Sequence, residues 1–372
     1  MCAGCWNERG GGRISSPFSV EGWWIGDAGR SLTEHVPDGG DGFTGGNLIE
    51  RKCQAGDSQW GGIVIYSEVG KRTRKGKDAV MRLGALEAGG TKMVCAVGDE
   101  NGTIFERTSI PTETPEITMP KLIAYFKEKE VEALGIGCFG PIDLNRKSET
   151  YGYITTTPKL AWANYNIVGA FKEALGIPVG FDTDVNGSAL GEATWGCTKG
   201  LENSMYITIG TGVGAGIISN GKLLHGMLHP EAGHVLLEKH PDDTYEGKCP
   251  YHKTCLEGLA AGPAIEARWG KKAIELADKK EVWELEAFYI GQALVDYIMI
   301  LSPERIILGG GVTHQEHMMP LVRKEVQRQL AGYIKTKELE DIENYIVLPS
   351  LNDNQGIMGA LKLALDELEY ER

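Results

Sequence analysis

The chain has 372 residues, with 38 Lys and Arg against 51 Asp and Glu, a net charge of −13 and a pI near 5.2. Its length exceeds one core of ordinary size, so two domains, or a domain with an appendage, are expected. So acidic a surface repels nucleic acid and anionic membrane, no apolar run approaches the roughly 20 residues that span a bilayer, and the start lacks a secretory signal's basic and apolar regions.

Residues 1–82 hold 17 glycines and four of the eight tryptophans, with no apolar periodicity of useful length. Blocks such as Gly10-Gly11-Gly12 and the basic run Lys71-Arg72-Thr73-Arg74-Lys75 bury too little apolar surface to offset ordering entropy, so this segment reads as an irregular extension. Met81 stands just before the first convincing strand, so the extension is either a linker or sequence upstream of a second start. Beyond Arg82 the net charge is −14, and the acidic body of the protein begins there.

From Leu83 the pattern becomes strand, glycine turn, strand, hairpin turn, strand: Leu83 to Ala88, Gly89-Gly90-Thr91-Lys92, Met93 to Val97, Asp99 to Gly102, then Thr103-Ile104-Phe105. The same grammar returns at Ser204 to Ile218, with Gly210-Thr211-Gly212 in the turn and Ser219-Asn220-Gly221 before Lys222. Each copy is followed by helical stretches and a further apolar strand, Ala133 to Gly137 and Arg305 to Gly309. Two similar α/β lobes with a cleft between them are predicted.

A glycine turn lets backbone N–H groups approach an anion closely, because no Cβ intervenes. Gly89, Gly90, Thr91 and Lys92, and the matching Gly210, Thr211 and Gly212, are suited to cradle phosphates. Neither fits the P-loop or the dinucleotide fingerprint. The matched pair favours a nucleotide clamp where the lobes meet. Between the two copies, Phe181-Asp182-Thr183-Asp184-Val185-Asn186 places carboxylates at a strand end, where one could take a proton from a hydroxyl. The alternative for Asp184 or Asn186 is helix N-capping, the role expected of Asp182.

Five of the eight histidines crowd into residues 225–252. Cys249, His252 and Cys255 fall three residues apart with His234 upstream, a set able to close a tetrahedron around Zn²⁺ as a structural site. The eight cysteines otherwise form no regular framework, which fits a reducing cytoplasm.

With these residues in place, the chain from about Leu83 onward resembles the ROK family of repressors and sugar kinases. Glu87 to Lys92 is similar to the family's first phosphate motif, although Glu87 replaces the usual Asp. Thr208 to Gly216 is similar to the second, Leu308 to Val312 with Gly309, Gly310 and Gly311 to the adenosine motif, and Gly135 to Pro141 and Thr155 to Trp162 to sugar loops. The run His229-Pro230-Glu231-Ala232-Gly233-His234, with the Cys/His cluster after it, resembles the zinc-containing fructokinases within the family more than its glucokinases.

The resemblance implies two actin-like (ribonuclease H-like) lobes, spanning 83–195 and 196–352, with a C-terminal helix over 353–372 packing back on the first lobe. It implies ATP-dependent phosphorylation of a hexose, D-fructose at its 6-hydroxyl, with Mg²⁺ accompanying ATP and Asp184 as general base. Thr157, Asn186, Glu231, His234 and Glu257 are then sugar contacts, and a homodimer is the family expectation. For Glu231 a solvated surface charge is the plainer reading, and for Glu257 an ordinary helix entry. A broader hexokinase and a sugar-responsive regulator remain alternatives, although residues 1–82 yield no helix-turn-helix pattern.

Overall fold

A computed structural model describes residues 80–371. Apart from its last three residues, the extension read over 1–82 lies outside the described residues. The first lobe contains β1 (Leu83–Ala88), β2 (Lys92–Gly98), β3 (Ile104–Pro111), β4 (Ala133–Cys138), a small hairpin of β5 (Tyr153–Ile154) and β6 (Tyr165–Asn166), and β7 (Val179–Thr183). Its sheet runs β3-β2-β1-β4-β7, the first three strands antiparallel and β4 and β7 parallel to β1. The second lobe contains β8 (Ser204–Ile209), β9 (Val213–Ser219), β10 (Lys222–Leu223), β11 (Arg305–Gly309) and β12 (Ile346–Val347), in the order β10-β9-β8-β11-β12. The strand order repeats with the same directions. The duplication read from the two glycine turns is therefore a duplication of topology.

Helices α1 (Pro115–Glu128) and α2 (Ile167–Leu175) cover one face of the first sheet, where Leu86, Met93, Phe126, Ile136 and Phe171 form the core. The sequence sets their ends. Pro115 opens α1, where its missing N–H is harmless, and α2 starts on Asn166, whose side chain accepts from Gly169 N at 2.7 Å. Gly176 ends α2 at φ 65°, a left-handed position that glycine takes without a Cβ clash. The opposite face is covered by α3 (Asp184–Trp195) and by α10 (Gln355–Tyr370), reached after α4 (Leu256–Ala260), α5 (Gly262–Trp269), α6 (Lys280–Leu301), α7 (Met318–Leu330), α8 (Lys337–Glu340) and α9 (Ile342–Tyr345). Glycine makes the α10 packing possible. A Cβ on Gly135 or Gly180 would strike the carbonyls of Ala360 or Leu363, and one on Gly359 would strike Gly187 O in α3.

In the second lobe, α6 and α7 pack on the sheet through Trp283, Ile290, Leu294, Val322 and Val326. Beside them lies a buried ionic group. Arg268 on α5 reaches Asp243 at 3.2 Å and Glu286 at 3.0 Å, donates to Leu259 O at 2.8 Å, and stacks over Tyr245. Tyr289 donates to Asp243 at 2.6 Å, so this group pins the loop that leads into the Cys/His cluster. Removing one partner of a buried pair strands the others without water. Arg268→Met is expected to destabilise the protein by about 3–5 kcal/mol, read from the denaturant midpoint, and a loss below about 1 kcal/mol would show that the group is not a clamp.

Candidate active site

β7 ends at Thr183 and α3 begins at Asp184, so the change from strand to helix sets the Asp184 carboxylate at the mouth of a parallel strand. Thr183 is the N-cap: its hydroxyl accepts from Asn186 N at 3.1 Å. Capping, weighed above for Asp184 and Asn186 and assigned to Asp182, belongs to none of them. Asp184 accepts from Val185 N at 2.9 Å, yet burial pushes its carboxyl above the usual carboxylate range. Gly137 on β4 lies against its backbone, and α3 goes on to pack on β8 and β9 of the second lobe. Asp184 thus stands at the head of a helix that touches both sheets.

Asn186 is 0% exposed; its amide donates to Asp182 at 2.6 Å, while its Oδ1 has no partner among the described residues. Asp182 is itself buried, accepting from Thr183 N at 2.8 Å and pairing with His225 Nε2 at 2.8 Å.

The two glycine turns form as expected. In the first, Gly89 N donates to Lys92 O at 3.1 Å, leaving Thr91 and Lys92 exposed, and the Lys159 side chain lies over Gly90. Glu87, one residue inside β1, is pushed upward by burial and then by the nearby Asp184 charge, against Arg107 and Lys92. In the second turn, Gly210 N donates to Gly212 O at 2.9 Å, with Thr211 exposed between them. Gly309, Gly310 and Gly311 follow β11 beside this turn, where Gly310 takes φ 89° and Val312 N donates to Ile209 O at 3.0 Å.

Glu257, in the first turn of α4, accepts from Val213 N at 3.1 Å, and its carboxylate would lie 2.8 Å from a Cβ on Gly212. It braces the second glycine turn, which a plain helix entry would not do. Glu231 is half-exposed directly before the short turn Ala232–His234, whose last N–H donates back to Glu231 O at 3.0 Å. Burial raises the Glu231 carboxyl, with His234 lowering it and Glu257 and Asp184 raising it further. Those influences place Glu231, His234, Glu257 and Asp184 in one neighbourhood. Thr157 is nearly buried, its hydroxyl accepting from Lys159 N at 3.3 Å.

His234, Cys249, His252 and Cys255 converge, with one ligand atom from each lying within 4.8 Å of the others. Cys249 Sγ lies 3.8 Å from Nδ1 of both His234 and His252, and Cys255 Sγ lies 3.5 Å from Nδ1 of His234. Bonds of about 2.3 Å to sulfur and 2.0–2.1 Å to nitrogen give tetrahedral S···N edges of about 3.5 Å, so the cluster fits a zinc ion with little adjustment. Both cysteines are buried. Cys255 also N-caps α4, its sulfur accepting from Gly258 N at 3.4 Å, which ties the cluster to the helix carrying Glu257.

Sequence reasoning gave no partner to His225 or His229, which contact Asp182 and Ile142 of the first lobe. Their signal was the histidine crowding over 225–252, which had been absorbed into the metal argument. Residues 83–367 match the ROK family. The chain belongs to that family. Among ROK relatives, one from Bacillus subtilis is 54% identical over 78% of this chain and 97% of its own length. The fructokinase of Pediococcus pentosaceus is 46% identical over 76% of this chain and 98% of its own. The ROK glucokinase of Streptomyces griseus, solved with glucose and AMPPNP, superposes with a TM-score of 0.61 at 26% identity, covering 77% of this chain and 99% of that one. The two sheets form the two-lobed actin-like ROK fold.

Proposed function

We propose that this ROK protein is an ATP-dependent fructokinase that transfers the γ-phosphoryl group of MgATP to the 6-hydroxyl of D-fructose. The observation that carries the reading is the position of Asp184, at the head of a helix bridging both sheets and in the charge neighbourhood of Glu231 and Glu257. The identity to a fructokinase over nearly all of that enzyme's length supports fructose as the sugar. The proposed lobes span 83–195 and 196–352, with α10 completing the first, a division supported by the packing of α10 on β1, β4 and β7.

Phosphoryl transfer needs alignment and charge neutralisation more than covalent help from the protein. The backbone N–H groups of the two glycine turns and the exposed Lys92 receive the phosphates, and Gly309 to Gly311 flank the nucleoside. Asp184 accepts the proton of the 6-hydroxyl as the oxygen attacks. Its carboxyl, raised by burial, is a stronger base than a free Asp. Glu231 and His234 hold sugar hydroxyls, and Glu257 keeps the second turn in shape beneath them. His234, Cys249, His252 and Cys255 would hold the zinc, which supplies no reaction chemistry when bound but fixes the tautomer and orientation of His234.

The test is ADP release from ATP and Mg²⁺ with fructose, mannose and glucose. The kcat/KM for fructose is expected to exceed the others. Equal values for glucose would replace fructose specificity with a broad hexokinase, and no turnover with any hexose would end the kinase reading. A chain starting at residue 80 is expected to match the full chain in kcat and melting temperature, since both described sheets are complete within 83–347. A truncated chain that is inactive or unfolded would contradict the assignment of residues 1–79 to an appendage.

A further inference from the structure

After β10 ends at Leu223, residues 224–230 run without regular structure to Glu231 and the turn Ala232–His234. This segment belongs to the second lobe by sequence, where Leu224 N donates to Ile217 O of β9 at 2.9 Å, yet its two histidines reach the first. His225 Nε2 sits 2.8 Å from Asp182 Oδ2, at the end of β7. Asp182 is 3% exposed, and its other oxygen already accepts from Thr183 N and Asn186 Nδ2. A carboxylate only accepts, so His225 Nε2 carries the proton in this pair.

Four residues on, His229 is 6% exposed and its ring lies against Gly140 of the first lobe. Ile142 N donates to His229 Nε2 at 3.3 Å, which leaves the ring proton on Nδ1. Nδ1 faces Glu231 Oε1 at 3.5 Å. A backbone N–H of the first lobe therefore fixes the tautomer of a ring that points its remaining donor at Glu231. Between the two histidines the segment leaves the protein surface, with Met227 fully exposed.

We propose that His225 and His229 are positioning residues that fasten segment 225–231 to the first lobe, so that Glu231 keeps its place relative to Asp184 when the lobes move. The proposal rests on the assignment of Glu231 to the sugar. Asp182 precedes Asp184 by two residues and braces the start of the same helix, so the His225 link and the base share one rigid base of support. Release of either histidine would loosen sugar placement and leave the glycine turns untouched.

The test compares His225→Leu, His229→Leu and His229→Gln in the full chain. A glutamine carbonyl can accept from Ile142 N while its amide donates toward Glu231, so the Gln variant should keep most of the function. In each Leu variant the fructose KM is expected to rise about tenfold, the size of a lost buried hydrogen bond, with the ATP KM within about twofold; His229→Gln should stay within about threefold of wild type. Hydrogen exchange of residues 224–231 in ligand-free protein should accelerate in both Leu variants, a readout that assumes no substrate. Unchanged exchange, unchanged fructose KM, or an equal rise of both KM values would overturn the proposal. Failure of the wild-type protein to phosphorylate fructose would instead remove the fructokinase reading, with the exchange measurement still deciding whether the fastening exists.

Discussion

Asp184→Asn is expected to lower kcat by about 10²–10⁴, the usual size of general-base loss, while the fructose KM stays within a few-fold. The amide preserves the shape and can still accept from Val185 N, but it cannot take the proton of the sugar hydroxyl. Burial raises this carboxyl, and the consequence for stability has a definite sign. A group whose folded pKa exceeds its unfolded value contributes stability below the unfolded pKa and loses it as pH rises through the folded pKa. At neutral pH the buried carboxyl of Asp184 is therefore a burden, and the Asn variant should melt at or above the wild-type temperature, with the difference vanishing in acid. The acid limb of kcat/KM in the wild type should lie above the pKa of an ordinary aspartate. A variant with near-normal kcat would place the base elsewhere, and one that melts lower would show that the inactivity is structural.

Stripping zinc, or Cys249→Ala, is expected to lower the melting temperature by on the order of 10 °C and to raise the fructose KM more than the ATP KM. Between His234 and Glu257 the chain is pinned at Asp243 by Arg268 and Tyr289, whereas the turn that carries Cys249, His252 and Cys255 is held more lightly. Leu236 pairs with Cys255 and Cys249 with Lys253 only as isolated bridges, and Lys253 takes φ 58°, a left-handed conformation unusual for its residue type. Without a metal the knuckle would rest on these bridges and on a few backbone bonds, among them Leu237 N to Thr254 O at 3.0 Å and Lys248 N to Gly258 O at 2.8 Å. Cys255 caps α4 two residues before Glu257, so the disturbance should reach the sugar pocket before the glycine turns. Elemental analysis finding no zinc in protein purified without chelator would remove the site; zinc that is present yet dispensable for sugar binding would leave it a clip with no part in specificity.

What the chain revealed beforehand was local. The glycine turns, the repeated strand grammar and the three-residue spacing of Cys249, His252 and Cys255 each express themselves within a short window, because a turn or a metal knuckle is built from near neighbours. Burial and bonding at single positions were not legible in the same way. Asn186 reads as a sugar contact, and its full burial and its amide's bond to Asp182 emerge only in the fold. Thr183 took the cap because the helix began one residue earlier than a carboxylate cap would require. Glu257 reads as a sugar contact with a helix entry as the alternative, and its contacts with Gly212 and Val213 lie 44 positions and more away in the chain. The His225 link to Asp182 spans 43 positions, and no pattern within a window could have announced it.

The helix α10 lies on β1, β4 and β7, but the chain supplies it only after the whole second lobe. During synthesis, β1, β4 and β7 therefore emerge with one face only partly covered, by α3, and wait for it. Leu83, Ala85, Val94 and Ala133 on that face share an apolar cluster with Ile357, Ala360, Leu361 and Ala364 of α10, with Trp195 of α3 packed against it. A ribosome stalled late in the message would release a nascent chain with an intact second lobe and an exposed apolar sheet, a natural client for chaperones.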